Sequence, residues 1–180
     1  MKHPFLISAQ IYLRPLEHED APRIVPWLND PEVTRTLAMR RPVNVETEQA
    51  FIAKLYTSDQ DLVLGIALTA GDELIGATGL ECIDATNRHA RFGIFIGKKS
   101  AWGAGHGTAA TALMLQHAFE TLNLHRVWLH VFEHNARAIR IYEKLGFQRE
   151  GVLRQEVYRD GRYCDVITKA MQRPEWRARR

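Results

Sequence analysis

Residues 102–108 read Trp-Gly-Ala-Gly-His-Gly-Thr, with glycines at 103, 105 and 107. The turn follows an apolar run at 92–96 and leads into a helix-forming stretch at 109–122. Such a turn can aim several backbone N–H groups at one anion, and a helix N-terminus adds partial positive charge. Glycines permit close approach because they have no side chain. The chemistry is that of a pyrophosphate cradle formed by Gly103, Ala104, Gly105, His106, Gly107 and Thr108; a plain strand-to-helix turn is the alternative. Two other phosphate signatures fail. Counting from Gly103, a P-loop would need Gly-Lys-Ser/Thr where the chain has Thr108-Ala109-Ala110, and a dinucleotide fingerprint would need glycine at Thr108.

A second motif follows. Residues 127–132 alternate as a strand does, and 135–147 then read Asn-Ala-Arg-Ala-Ile-Arg-Ile-Tyr-Glu-Lys-Leu-Gly-Phe. Asn135 suits an N-cap and Gly146 the residue just past a helix end. Ala138, Ile141, Tyr142 and Leu145 share one face at spacings of three and four.

The elements that position these motifs can be read around them. A strand is expected at 11–13, a helix at 19–28 with Pro22 in its first turn, and a second helix at 45–56 capped by Asn44. Strands at 62–69 and 74–83 are joined at Ala70-Gly71-Asp72, and another spans 90–97. A last hairpin turns at Asp160-Gly161. The pattern implies an α+β domain on a mixed, mostly antiparallel sheet.

Taken together these residues resemble the GNAT N-acetyltransferase superfamily, and within it the RimJ/RimL-type branch. The resemblance rests on Leu13-Arg14-Pro15-Leu16, on Trp27-Leu28-Asn29-Asp30-Pro31-Glu32-Val33, on the glycine turn, on Asn135 through Phe147, and on Gly161-Arg162-Tyr163. It covers roughly residues 10–171 of one 1–180 domain, leaving a basic tail at 172–180. It implies a central sheet of about six to seven strands, splayed where acyl-CoA enters, with about four flanking helices.

The resemblance also implies roles. Acetyl-CoA would be the co-substrate, with no metal, and an amine would attack it directly in a ternary complex. The glycine turn would hold the pyrophosphate, and backbone groups of Phe95 and Ile96 would pair with the pantetheine arm. Tyr142 would be the general acid for the leaving thiolate. A phenol, at ~10, keeps its proton where a thiol, at ~8.5, begins to lose it. Asn135 would touch the cofactor near its reactive end, and can cap its helix as well. Trp27 and Glu81 are candidates on the acceptor side. Relatives often place a glutamate where this chain has Arg91, so the general base is open; Glu81 is also readable as a solvent-facing strand residue.

An α-amino group, at ~8, needs a base less than an alkylamine, at ~10.4, does. That favours a protein or peptide N-terminus as acceptor. A small-molecule amine (an amino-sugar nucleotide, polyamine or aminoglycoside) is the alternative, and a non-catalytic acyl-CoA-binding module a third. Arg35, Arg40, Arg41, Arg159 and Arg162 lie in the acceptor-side loops; as a basic rim they would favour an acidic acceptor over a polycation, and loops merely solvated by arginine are the alternative.

Bulk properties agree with such a class. Hydrophobic content is 46%, charged content 25% and formal net charge +3, which does not point to a nucleic-acid partner. No apolar run approaches the ~20 residues of a membrane span, and no signal peptide is seen at the N-terminus. A cytoplasmic protein is expected, with a homodimer as the family default. Cys82 and Cys164 lie in apolar strand-like runs and read as buried thiols. His130 and His134 straddle a strand-to-helix transition, which discounts them as a zinc pair. Arg173, Arg177, Arg179 and Arg180 read as a solvated end.

Overall fold

The computed structural model describes residues 1–179. One eight-stranded sheet runs through the molecule. Its strands are β1 (Leu6–Ile7), β2 (Ile11–Pro15), β3 (Leu62–Leu68), β4 (Leu74–Asp84), β5 (His89–Ile96), β6 (Arg126–Phe132), β7 (Gln148–Arg159) and β8 (Arg162–Gln172). Their order is β1-β2-β3-β4-β5-β6-β8-β7, antiparallel everywhere except between β5 and β6. The helices are α1 (Ala21–Leu28), α2 (Pro31–Thr34), α3 (Val45–Leu55), α4 (His106–Gln116), α5 (Ala136–Leu145) and α6 (Arg173–Arg177).

The α+β fold expected from the pattern is present. The counts exceed the expectation of six to seven strands and about four helices, because β1, α2 and α6 are two, four and five residues long. Elements that short carry no periodicity.

Local chemistry accounts for the boundaries. Asn44 Oδ1 accepts Thr47 N–H at 2.8 Å while Thr47 Oγ1 accepts Asn44 N–H at 3.1 Å, so α3 opens on a reciprocal cap. Asn135 Oδ1 accepts Ala138 N–H at 3.1 Å, and Gly146, at φ +105°, closes α5. α4 begins at His106, inside the glycine turn, and its last turn widens into a π-helix at His117–Thr121.

Two cores flank the sheet. On one face α4 and α5 bury Phe92, Met114, Phe119, Val127, Leu129, Val131 and Tyr142. On the other α1 and α3 bury Ile24 and Ile52 against Leu74 and Ala77. Arg14 and Asp20 are joined there by two 2.7 Å hydrogen bonds, both side chains buried.

Two expectations are corrected. The C-terminal segment is docked in part: Trp176 packs on Phe119 at 5.4 Å, Arg173 N–H donates to His125 O at 2.8 Å and Arg179 lies against Gly146, while the Arg177 and Arg179 side chains stay exposed, in keeping with a solvated end. Arg180 lies outside the described residues. Cys164 is buried but Cys82 is exposed, because the β4–β5 register shifts between Glu81 and Asp84 and turns Cys82 outward at φ +51°.

Candidate active site

β5 and β6 are neighbours over only three register pairs, His89–Arg126, Ala90–Val127 and Arg91–Trp128. Beyond them β5 stays with β4 through Ile96, while β6 stays with β8 through Phe132. The sheet therefore opens into a slot that begins at Phe92. Backbone groups of alternate β5 residues must face that slot unpaired.

The alternation can be assigned. The Phe95 carbonyl lies on the β4 side, where a methyl group on Gly76 would collide with it, and Gly97 N–H donates to Ile75 O at 2.9 Å. Ile94 and Ile96 are then the residues turned toward the slot. Of the pair expected from sequence, Ile96 keeps that orientation and Phe95 faces β4. The Ile96 carbonyl is already taken by Trp102 Nε1 at 2.7 Å. That leaves both backbone groups of Ile94 and the Ile96 N–H as the free edge.

At the far end of β5 the glycine turn is built as an anion cradle requires. Gly103 and Gly105 both adopt φ +85°, a region that disfavours other residues. Gly105 caps α4 without a side-chain hydrogen bond, so the first N–H groups of the helix are left free. A methyl group placed on Gly103, Gly105 or Gly107 would meet nothing within 4 Å, so no packed neighbour crowds the turn. His106 and Thr108 complete the first turn, and Ala104 sits between the two left-handed glycines. The turn and the free edge of β5 suit a phosphate-bearing group with an extended arm.

Tyr142 stands on the α5 side of the slot. Its ring meets Phe92 and Phe147 edge-on, at 6.3 and 5.5 Å. It is 7% exposed, and burial pushes its pKa up to about 12. Its hydroxyl makes no hydrogen bond among the described residues, yet it is not sealed inside. Asn135 lies two turns earlier, and its oxygen is engaged in the helix cap.

The opposite face carries different chemistry. Arg91 and Glu81 face each other across β5 and β4 and form an ion pair, both half-exposed. Glu81 is thus a partner of Arg91, rather than a lone surface acid. Trp27, at the end of α1, lies directly against Gly97, where a methyl group would collide with the indole. On β6, Val127, Leu129 and Val131 enter the core, so Trp128 and His130 point to this face, with rings 5.1 Å apart. Burial first, and then the charge of Arg91, hold the His130 imidazole below its ordinary pKa; Glu156 pulls it the other way. The alternation in 127–131 was legible in the sequence, but His130 was weighed there only as a metal ligand.

The arginine rim is largely committed to the fold. Arg40 donates to Tyr158 O at 2.6 Å, and Arg159 donates to Met39 O at 2.9 Å and to Leu37 O. Arg35 lies 3.9 Å from Asp160. These contacts clasp the loop at 35–41 to the β7–β8 hairpin, over a cavity of about 340 Å³ lined by Pro31, Glu32, Thr34, Arg35, Arg159 and Asp160. Arg41 and Arg162 are exposed.

Comparison with known proteins places this geometry. Residues 10–148 match the acetyltransferase (GNAT) domain family. The chain is 30% identical over 174 residues to an uncharacterized N-acetyltransferase, p20, of Bacillus licheniformis, with 95% of this chain and 97% of that one covered. It is 32% identical over 162 residues to the spermidine N(1)-acetyltransferase of Vibrio cholerae, covering 89% and 91%. The crystal structure of spermidine N-acetyltransferase from Vibrio cholerae in complex with CoA and spermine superposes with a TM-score of 0.88 at 27% identity, over 94% of this chain and 99% of that one.

Proposed function

The chain belongs to the GNAT acetyltransferase family, and from that premise we propose that it moves an acetyl group from acetyl-CoA to a primary amine of a small molecule, with polyamines the first class to test. The observation that carries the reading is the slot between β5 and β6. It has the uncapped N-terminus of α4 at one end and the Tyr142 ring against its origin at Phe92.

In this reading the glycine turn binds the pyrophosphate through backbone N–H groups, and Ile94 and Ile96 pair with the pantetheine arm as an added strand would. The side-chain amide of Asn135, whose oxygen is spent on the cap, is left to touch the arm. The amine enters from the face that carries Trp27, Glu81 and Arg91. Its lone pair attacks the thioester carbonyl, the C–S bond breaks, and the sulfur takes the Tyr142 proton. The excess proton on the new amide nitrogen then restores the phenol.

Two observations support a small molecule over a protein N-terminus. Several of the similar proteins are spermidine N-acetyltransferases by name. Two of the rim arginines, Arg40 and Arg159, are also held on backbone carbonyls rather than presented to an acceptor, and Glu156, on the acceptor side, is in no ion pair among the described residues.

Thiol release from acetyl-CoA should be measured with spermidine, spermine, an aminoglycoside, an amino-sugar nucleotide and peptides bearing Ser or Ala N-termini. The expected result is a kcat/KM for a polyamine at least about tenfold above any peptide, the discrimination one well-made contact supplies. Preferred turnover of a peptide would return the acceptor to a protein N-terminus. Tight acetyl-CoA binding with no turnover of any amine would leave an acyl-CoA-binding module.

A further inference from the structure

We propose that His130 is the group that takes the proton from the incoming ammonium, filling the role left open by Arg91. The inference rests on the acetyltransferase reading above and adds to it the identity of the base.

Placement carries the argument. The slot opens where β5–β6 pairing stops at Arg91–Trp128, and His130 is the next β6 residue on the same face as Trp128. Tyr142 reaches the same opening from the other face, through its edge contact with Phe92, the first β5 residue past the pairing. An acid and an imidazole therefore flank one gap from its two sides. This is the arrangement needed when an amine enters from one face and a thiolate leaves toward the other. His130 is exposed, so an acceptor can reach it, and no hydrogen bond within the described chain occupies its ring nitrogens. Glu81, the acid nearest the usual position of a base, is held in its ion pair with Arg91.

The charged groups facing His130 are Arg91 on β5, with Glu81 of β4 behind it, and Glu156 on β7; its β8 neighbour, Thr168, does not titrate. The balance keeps the imidazole neutral at pH 7 and able to accept a proton. The ammonium gives one proton to His130 and becomes the nucleophile, and His130 returns that proton to solvent. The proton Tyr142 gives to sulfur is replaced by the one shed from the amide nitrogen.

The test is the pH profile of kcat/KM for spermidine, at saturating acetyl-CoA, in wild type and His130→Gln. The expected loss is about 10²-fold at pH 7. It should shrink as pH rises toward the amine's own ~10.4, where no base is needed. The KM for acetyl-CoA and the melting temperature should not move, since His130 is on the surface. Added imidazole should restore turnover to His130→Ala. Two further variants separate a proton acceptor from a structural residue. Glu156→Gln should move the acid limb to lower pH, and Arg91→Ala should move it to higher pH. A His130→Gln enzyme within about threefold of wild type from pH 6 to 9, well short of what a general base contributes, would overturn the proposal. So would a loss that is the same at every pH. Failure of the parent reading shows instead in the wild type, as no turnover of any amine, and takes this inference with it.

Discussion

Tyr142 is a buried phenol packed on Phe92, where the slot begins, and its environment suits it to giving a proton rather than taking one. Burial keeps it protonated up to about pH 12. Replacing it with phenylalanine should lower kcat by about 10²–10⁴-fold while leaving acetyl-CoA affinity unchanged, as read by steady-state turnover and by calorimetry; equal turnover would remove Tyr142 from the reaction. The same burial has a stability consequence with a fixed sign. The folded pKa lies above the unfolded value of ~10, so the folded chain binds more protons through the window from ~10 to ~12, and stability must fall as pH rises across it. Thermal melts from pH 9 to 11.5 should show a steeper fall in wild type than in Tyr142→Phe. The helix that carries Tyr142 was legible from spacing, because Asn135 and Gly146 frame it and the apolar face is clean; the role of Tyr142 came only with the family resemblance. The pairing of Arg91 with Glu81, and the approach of His130, were not legible. They depend on the registers of β4, β5 and β6, and the β5–β6 register is set by a crossover through α4 that no local pattern reports.

At the scale of the element, the turn into α4 separates two uses of glycine that look alike in the sequence. Gly105 holds φ +85°, whereas Gly107 lies inside the first turn of the helix without a positive φ. Neither position is crowded. Gly105→Ala should therefore destabilise the protein by roughly 1–2 kcal/mol through backbone torsion alone. Gly107→Ala should stabilise it, by up to about 1 kcal/mol, as alanine does in a helix. Both should weaken acetyl-CoA binding, because both put a methyl group over the amides. Denaturant midpoints and calorimetry would check the pair, and a Gly107→Ala protein that binds acetyl-CoA as wild type does would remove that amide from the cradle. The sequence placed the turn correctly but began the helix three residues late, since α4 lacks the polar N-cap by which helix starts are read. The clasp of Arg40 and Arg159 on the 35–41 loop was hidden for another reason. Its donors and acceptors lie 118–122 residues apart, so the arginines read as a free basic rim.

Across the whole molecule the sheet behaves as two halves, β1–β5 and β6–β8–β7, joined by three register pairs. Alternation and turn residues identified β3, β4, β5, β6 and the 160–161 hairpin turn, where the pattern is local, but β7 was expected only near 155–158 and runs from Gln148, its irregular register at 149–157 hiding the period. Where the two halves part was not legible; strands that diverge have the same alternation as strands that stay paired. The division makes its own prediction. Without acetyl-CoA, the amides of Ile94 and Ile96 should exchange with solvent quickly, while that of Phe95, which faces β4, should exchange slowly. With acetyl-CoA bound, the two fast amides should become protected and Phe95 should change little. The same ligand should raise the melting temperature. At 100 times its dissociation constant it adds about 2.7 kcal/mol, which for a chain of this size is roughly 5–11 °C. Hydrogen exchange resolved to single amides would decide the point. Uniform protection along β5 would mean that the halves close as a unit, and no protection at Ile94 would mean that the arm does not pair with this strand.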